Sequence, residues 1–346
     1  MREFIYGVRY FGEACLKACQ HVPLKNKQIR EQLDTALRSP DVGTPVQWDM
    51  LDEKLFRPRP RLCGAIGVYA MLSGLTIDQI MQNGGLPPFL LMWALGSCQD
   101  DYIDKIRAAE LTGLTKMQRT RKIANTIFGR EQTLFRRCYA MIIEYLNDQN
   151  FPLDEASYLR GKLANWYHFL YKQEEQMFGL NPNQVDFDIC SEYRIQQNTR
   201  IGELLTALLN GINCLDPRLG ILENAVPPFS ILTQIIDDVA DTREDLENGR
   251  PSFMVGALNE HPQERRRVED FLSQHPLIVK IRPNVLGQLA PQSYHLVKEA
   301  YNKIALDISK QSPRAEVVRL AAKPLFHFFP LYRDMMYRIN PRYANF

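Results

Sequence analysis

Apolar residues recur at i, i+3 and i+4 through almost all of the 346-residue chain, a spacing that lines one side of an α-helix. The pattern runs through Leu90, Leu91, Trp93, Ala94 and Leu95, and through residues 158–178, 195–212, 229–246, 294–308 and 317–336. Alternating β-branched runs are scarce; Ile66 to Met71 comes nearest, and its Ala and Met favour helix. Helix punctuation falls at Asn83-Gly84-Gly85, Pro87-Pro88, Gly179 to Pro182, Asp216-Pro217, Asn248-Gly249-Arg250-Pro251 and Pro283. Pro227-Pro228 lies within one candidate helix, so that helix is expected to start there. With no repeat and no linker, the expectation is one all-α domain over residues 1–346.

Hydrophobic residues make up 45% of the chain, enough for a large core, and 42 Lys+Arg against 40 Asp+Glu leave a net charge of +2. That balance excludes a polybasic nucleic-acid binder. The densest basic stretch, Arg119 to Lys122 followed by Arg130, Arg136 and Arg137, is interspersed with apolar residues and reads as a solvated helix face. Seven cysteines include no Cys-x-x-Cys; Cys15 and Cys19 are one helical turn apart and would need two further ligands to hold zinc. Reduced thiols and a cytoplasmic location are expected. The N-terminal residues mix charges with their apolar residues, unlike a signal peptide. The longest uncharged apolar stretch, Pro87 to Cys98, is too short for stable membrane insertion.

Two acidic clusters sit on apolar helical segments: Asp100, Asp101 and Asp104, then Asp237, Asp238, Asp241 and Asp245. At roughly 100° per residue, Asp100 and Asp104 share a face, and Asp237, Asp241 and Asp245 form a stripe. Each like-charge i, i+4 pair costs a helix roughly 0.2–0.5 kcal/mol, and burial of ionised carboxylates costs more unless a cation neutralises them. Mg²⁺, held by carboxylates together with phosphate oxygens, is the natural partner. One such cluster alone could be a solvated acidic face; two on separate apolar helices argue for metal.

These clusters resemble the aspartate motifs of the class I isoprenoid synthases. Asp100-Asp101-Tyr102-Ile103-Asp104 matches DDxxD. Gln234 to Asp245 is similar to QxxDDxxDxxxD of the chain-elongating synthases, and equally to the cyclase (N/D)DxxSxxxE, with Asp237, Asp241 and Asp245 in its three places. The resemblance covers roughly Arg57 to Arg250 and the C-terminal end. It implies an α-helical bundle with a central apolar cavity, facing acidic helices, three Mg²⁺ ions and an isoprenyl diphosphate substrate. It also implies a diphosphate-sensing arginine: Arg194 lies 43 residues before Asp237, with Arg200 as the other candidate. Arg250 and the pair Arg342-Tyr343 would reach the diphosphate; Tyr332-Arg333 and Tyr337-Arg338 have the reverse order. Glu244 stands where many cyclases carry lysine. Gly202 resembles the break that opens the family's middle helix, a glycine otherwise read as close packing.

Carbocation chemistry would need an apolar, partly aromatic cavity. Trp93 and Phe89 lie below Asp100 on its face, with Gly96 leaving space. Thr233 and Ser230 lie below Asp237, and Trp166, Tyr167, Phe169 and Asn198 are further wall candidates; each aromatic is equally compatible with plain core.

The resemblance leaves two activities. Elongating synthases bind isopentenyl diphosphate through KRxRP, of which Arg57, Arg59 and Pro60 remain while Phe56 takes the lysine place. Their arginine pair after DDxxD is reduced to Arg107, and their Lys-Thr becomes Asn198-Thr199. Joining two diphosphates needs two anion sites and cyclising one needs a single site, so the expectation is a terpene cyclase acting on a C15 to C25 allylic diphosphate. A trans-prenyltransferase is the alternative, favoured by Asp241 and the complete second motif. A silent partner subunit would have no reason to retain seven aspartates, and the head-to-head synthases, which use DxxxD twice, fit less well because the first cluster reads as the full DDxxD. A homodimer is a family expectation only.

Overall fold

The computed structural model describes residues 185–212, 222–278 and 280–311, together with Glu31, Thr115, Gln118 and Gly161. Among the described residues there are seven complete helices and no strand. They are α1 (Phe187–Ile212), α2 (Leu222–Ala240), α3 (Thr242–Asn248), α4 (Phe253–Glu260), α5 (Pro262–Gln274), α6 (Pro283–Leu289) and α7 (Pro291–Gln311). Residues 185–203 and 222–311 belong to one compact unit, described below, and residues 204–212 to a second. No helix among the described residues is long and apolar enough to cross a membrane.

Helix α2 packs most extensively on α7 and also against α4, while α4 touches α3, α5 and α7 as well. The apolar stripe of α2, Ile231, Leu232, Ile235, Ile236 and Val239, is buried with Val297, Tyr301, Ala305 and Ile308 of α7. Each such side chain contributes roughly 1.5–3 kcal/mol when fully enclosed. Helix α4 has no solvent face over its first six residues: Phe253 to Leu258 are all buried. Its start is set by Ser252, whose side chain accepts the Val255 N–H at 3.3 Å. Gly249, at φ 62°, ends α3 with its N–H on the carbonyls of Asp245 and Leu246, the left-handed position that glycine fills without a Cβ penalty.

Another cap comes from a distant residue. Glu264 of α5 is buried and accepts the N–H of Gln292 (3.0 Å), the N–H of Ser293 (2.8 Å) and the Ser293 hydroxyl (2.8 Å) at the start of α7. Burial pushes this carboxyl up, but the three donors outweigh it and hold it below the usual glutamate value.

Two expectations from sequence are corrected. Helix α2 starts at Leu222, not at the proline pair, and holds Pro227 and Pro228 within its length. The prolines forgo hydrogen bonds only to carbonyls of the helix's first turn, and Pro227 is buried against Gly202 of α1. Gly202 in turn opens no break, since α1 runs through it without interruption. A Cβ there would come within 2.3 Å of the Pro227 Cα, so this glycine is where two helix backbones meet.

The glycines therefore rank by what surrounds them. Gly202→Ala is expected to destabilise the protein by about 3 kcal/mol, because its Cβ meets backbone. Gly287→Ala, whose Cβ would meet only the Tyr294 ring at 3.3 Å, should lie within about 1 kcal/mol of the parent. Urea unfolding of both variants checks the order; equal midpoints would refute the close crossing.

Candidate functional site

The second acidic cluster lies across the end of α2 and the start of α3. The single helix expected over residues 229–246 is divided at Asp241 (φ −94°, ψ 12°), between α2 and α3. The hydrogen bonds survive the division: Asp241 N–H reaches the Asp237 carbonyl at 2.8 Å and Asp245 N–H the Asp241 carbonyl at 2.9 Å. The four-residue spacing of the acidic stripe is thus kept, while its members meet different surroundings.

Asp238 points inward, with 1% of its side chain exposed, and Arg194 of α1 lies against it with Nη2 at 3.2 Å from Oδ1. The Gln234 side-chain amide donates to the same oxygen at 2.5 Å, and the Phe253 N–H at the start of α4 donates to Oδ2 at 2.9 Å. One carboxylate therefore ties α1, α2 and α4 together. Burial pushes its pKa up to about 6, against the opposing pull of Arg194, Gln234 and the Phe253 N–H, with Asp237 adding to the rise.

Asp245 is buried as well. Its carboxyl receives a hydrogen bond from Ser252, but Oδ2 has no hydrogen-bond partner. Burial first, then the charge of Asp238, pushes this group well above the usual aspartate value; Arg194 opposes them and Asp241 adds to the rise. An enclosed carboxylate with one unsatisfied oxygen, sharing its nearest cation with Asp238, is under-compensated.

The outer members face solvent and basic side chains. Asp241 is engaged by Lys280, which also lies 3.6 Å from Glu244 Oε2. Arg250 Nη1 lies 3.3 Å from Glu244 Oε1. Arg243 points the other way: it pairs with Glu247 at 2.7 Å and donates to the carbonyls of His275, Pro276 and Ile278. Asp237 is half-buried.

Of the two arginines expected as anion sensor, Arg194 is brought to the acidic cluster, and Arg200 is exposed and paired with Glu203 on its own helix at 2.9 Å. Asn198 is buried and donates to the Arg194 carbonyl at 2.9 Å. Thr233 and Ser230 donate to the carbonyls of Ser230 (2.8 Å) and Val226 (3.3 Å) on their own helix. Asp100, Asp101, Asp104, Phe89, Trp93, Gly96, Trp166, Tyr167, Phe169, Arg57, Arg59, Arg342 and Tyr343 lie outside the described residues. Sequence reasoning did not single out Lys280, which lies 35 residues beyond Asp245 in a loop without any motif. Nor did it give Phe253 and Ser252 a role, since a backbone N–H and a helix cap leave no signature beside a carboxylate far away in sequence.

Among the described residues, no group of three or more His, Cys, Asp or Glu side chains is arranged to hold a metal ion. A hydrated Mg²⁺ asks less, since it takes one or two protein carboxylates and completes its shell with water and phosphate. The hard oxygen donors of Asp237 and Asp241, both partly exposed, are suited to that demand, while Asp245 is enclosed behind them. Comparison with protein-family models, curated proteins and solved structures finds no match to this chain.

The buried carboxylate makes a pH prediction. Because Asp238 is more basic folded than unfolded, the folded chain binds more protons between about pH 4 and 6, and the stability from this group falls as pH rises through that window. The size is on the order of 2–3 kcal/mol. Asp238→Asn removes the titration and keeps an acceptor for the Phe253 N–H. Urea unfolding of both proteins from pH 4 to 7 should show the parent losing stability relative to the variant; a constant difference would refute the assignment.

Proposed function

We propose that this chain is a class I terpene synthase: a single α-helical domain enclosing an apolar cavity, in which one linear allylic diphosphate of C15 to C25 is ionised and the carbocation cyclised. The observation that carries the reading is the position of Arg194. Its side chain, 13% exposed, brings the guanidinium to the second aspartate cluster, which supports the role that the sequence resemblance implies for it. Two acidic clusters of matching type in the sequence, the second of them packed into a helical core, support the same reading.

Asp100, Asp101 and Asp104 on one segment, and Asp237, Asp241 and Asp245 on the other with Asp238 behind them, would hold three Mg²⁺ ions. When bound, these supply Lewis-acid stabilisation of charge on the leaving diphosphate. Arg194 adds a fixed positive charge that needs no reorganisation as the C–O bond breaks. Arg250, Arg342 and Tyr343 would orient the diphosphate. The cavity wall from Phe89, Trp93, Gly96, Trp166, Phe169, Asn198 and Thr233 would exclude water from the carbocation and offer it aromatic faces. Loss of a proton, or capture of one water, then gives a cyclic hydrocarbon or alcohol. A cytoplasmic enzyme, as a homodimer, completes the proposal.

The test is product analysis of the purified chain with Mg²⁺ and C10, C15, C20 or C25 allylic diphosphates, each with and without isopentenyl diphosphate. A cyclic, phosphate-free product from one allylic diphosphate alone is expected, and Arg194→Gln should lower kcat by about 10²-fold or more. A longer linear diphosphate formed only with isopentenyl diphosphate would replace the cyclase by a prenyltransferase. Absence of any product would overturn both.

A further inference from the structure

The acidic segment from Asp237 to Asp245 offers its carboxylates unequally to anything arriving from solvent. Asp238 and Asp245 are enclosed, whereas Asp241 keeps 19% and Glu244 42% of its side-chain surface. These two accessible groups share one ammonium, that of Lys280, itself 26% exposed. We infer that Lys280 is a resident counter-ion on the solvent-facing carboxylates, and that a divalent cation entering the acidic site must displace it. Lys280 is then a residue that sets metal affinity. The inference rests on the metal-dependent reading above.

The physical basis is competition for one oxygen. Lys280 engages Asp241 Oδ1; an ammonium and a cation bound at roughly 2.0–2.1 Å, the Mg²⁺ distance, exclude each other there. Lysine suits such exchange, because a compact charge on a flexible four-carbon stem can leave without backbone movement. The start of its loop is held independently by Arg243, which grips the carbonyls of His275, Pro276 and Ile278 at 3.2, 3.0 and 2.8 Å. Displacement therefore frees the Lys280 end of the loop and leaves the Arg243 end anchored. Glu244 remains neutralised by Arg250, so the charge that changes hands is chiefly that on Asp241.

Calorimetric titration of Mg²⁺ into the full chain, the Lys280→Gln variant and the Lys280→Arg variant tests this. Lys280→Gln removes the competitor and should bind Mg²⁺ roughly five-fold tighter, the scale set by one unit charge at a partly solvated site. Lys280→Arg, which keeps the charge, should bind like the parent. A merely structural lysine would give weaker or unchanged binding in Lys280→Gln, and that result overturns the inference. In the parent, Mg²⁺ should also make the Lys280 amine more reactive toward acetylation, and protection of that amine would count equally against displacement. Failure of the parent itself to bind Mg²⁺ would overturn the metal-dependent reading and this inference together. Binding by the parent that is insensitive to Lys280→Gln removes this inference alone.

Discussion

Burial of two carboxylates inside an otherwise apolar helical core is the constraint on which this region turns. Asp238 and Asp245 lie in one enclosed space with Arg194 as the cation beside them. Taking a charge out of water costs several kcal/mol unless hydrogen bonds and an opposite charge replace the solvent. The surrounding helices supply what they can: a guanidinium from α1, an amide from α2, a backbone N–H from the start of α4, and the Ser252 hydroxyl that also caps α4. Glu264 shows what complete compensation does. Its oxygens take the N–H groups of Gln292 and Ser293 and the Ser293 hydroxyl, and these donors hold its pKa below the ordinary value. Full satisfaction marks a carboxylate that holds a fold together. The under-compensated pair marks a place where further positive charge would be stabilising, which is why the site, rather than the cap, carries the functional proposal.

Much of the helical architecture was legible in the sequence, and the exceptions have physical causes. Helices α2 and α7 bury a stripe and expose the rest, so their apolar residues recur at the helical period. Helix α4 is buried over Phe253 to Leu258 and therefore has no stripe to detect. Helix α5 fails for the opposite reason: Val268 and Leu272 are its only buried apolar residues, one turn apart in a strongly charged sequence. The proline pair misleads because the local cost of proline is judged without its neighbour. Gly202 brings the α1 backbone against Pro227, a contact between residues 25 positions apart that no local pattern encodes.

The site was legible where chemistry demands spacing and hidden where contact is made by folding. Carboxylates four residues apart on an apolar helix are costly, so their pattern signals a purpose. Arg194 could be put forward by its distance from the motif, but its preference over Arg200 needed the structure: the two lie on different faces of α1, one against Asp238 and one in solvent beside Glu203. Lys280 had no such signal, because a lone lysine in a loop is the commonest kind of surface residue. Its importance comes entirely from the carboxylates it meets.

The acidic segment divides into an inner and an outer set, and the helical period already accounts for that division. At roughly 100° per residue, Asp245 faces about 20° away from Asp238 and about 80° away from Asp237. At φ −94° and ψ 12°, Asp241 sits in the sparsely populated bridge between helical and extended backbone. The chain turns there while both flanking hydrogen bonds remain near 2.8–2.9 Å. Asp245 is buried on the side of Asp238, while Asp241 stays partly exposed and engaged by Lys280. One short segment thus carries carboxylates that are under-compensated and one that already has an exchangeable partner. The two sets are electrostatically linked, since Asp241 raises the proton affinity of Asp245. Neutralising the outer member would relieve the inner one, so a cation bound at Asp241 would also stabilise the buried charge on Asp245.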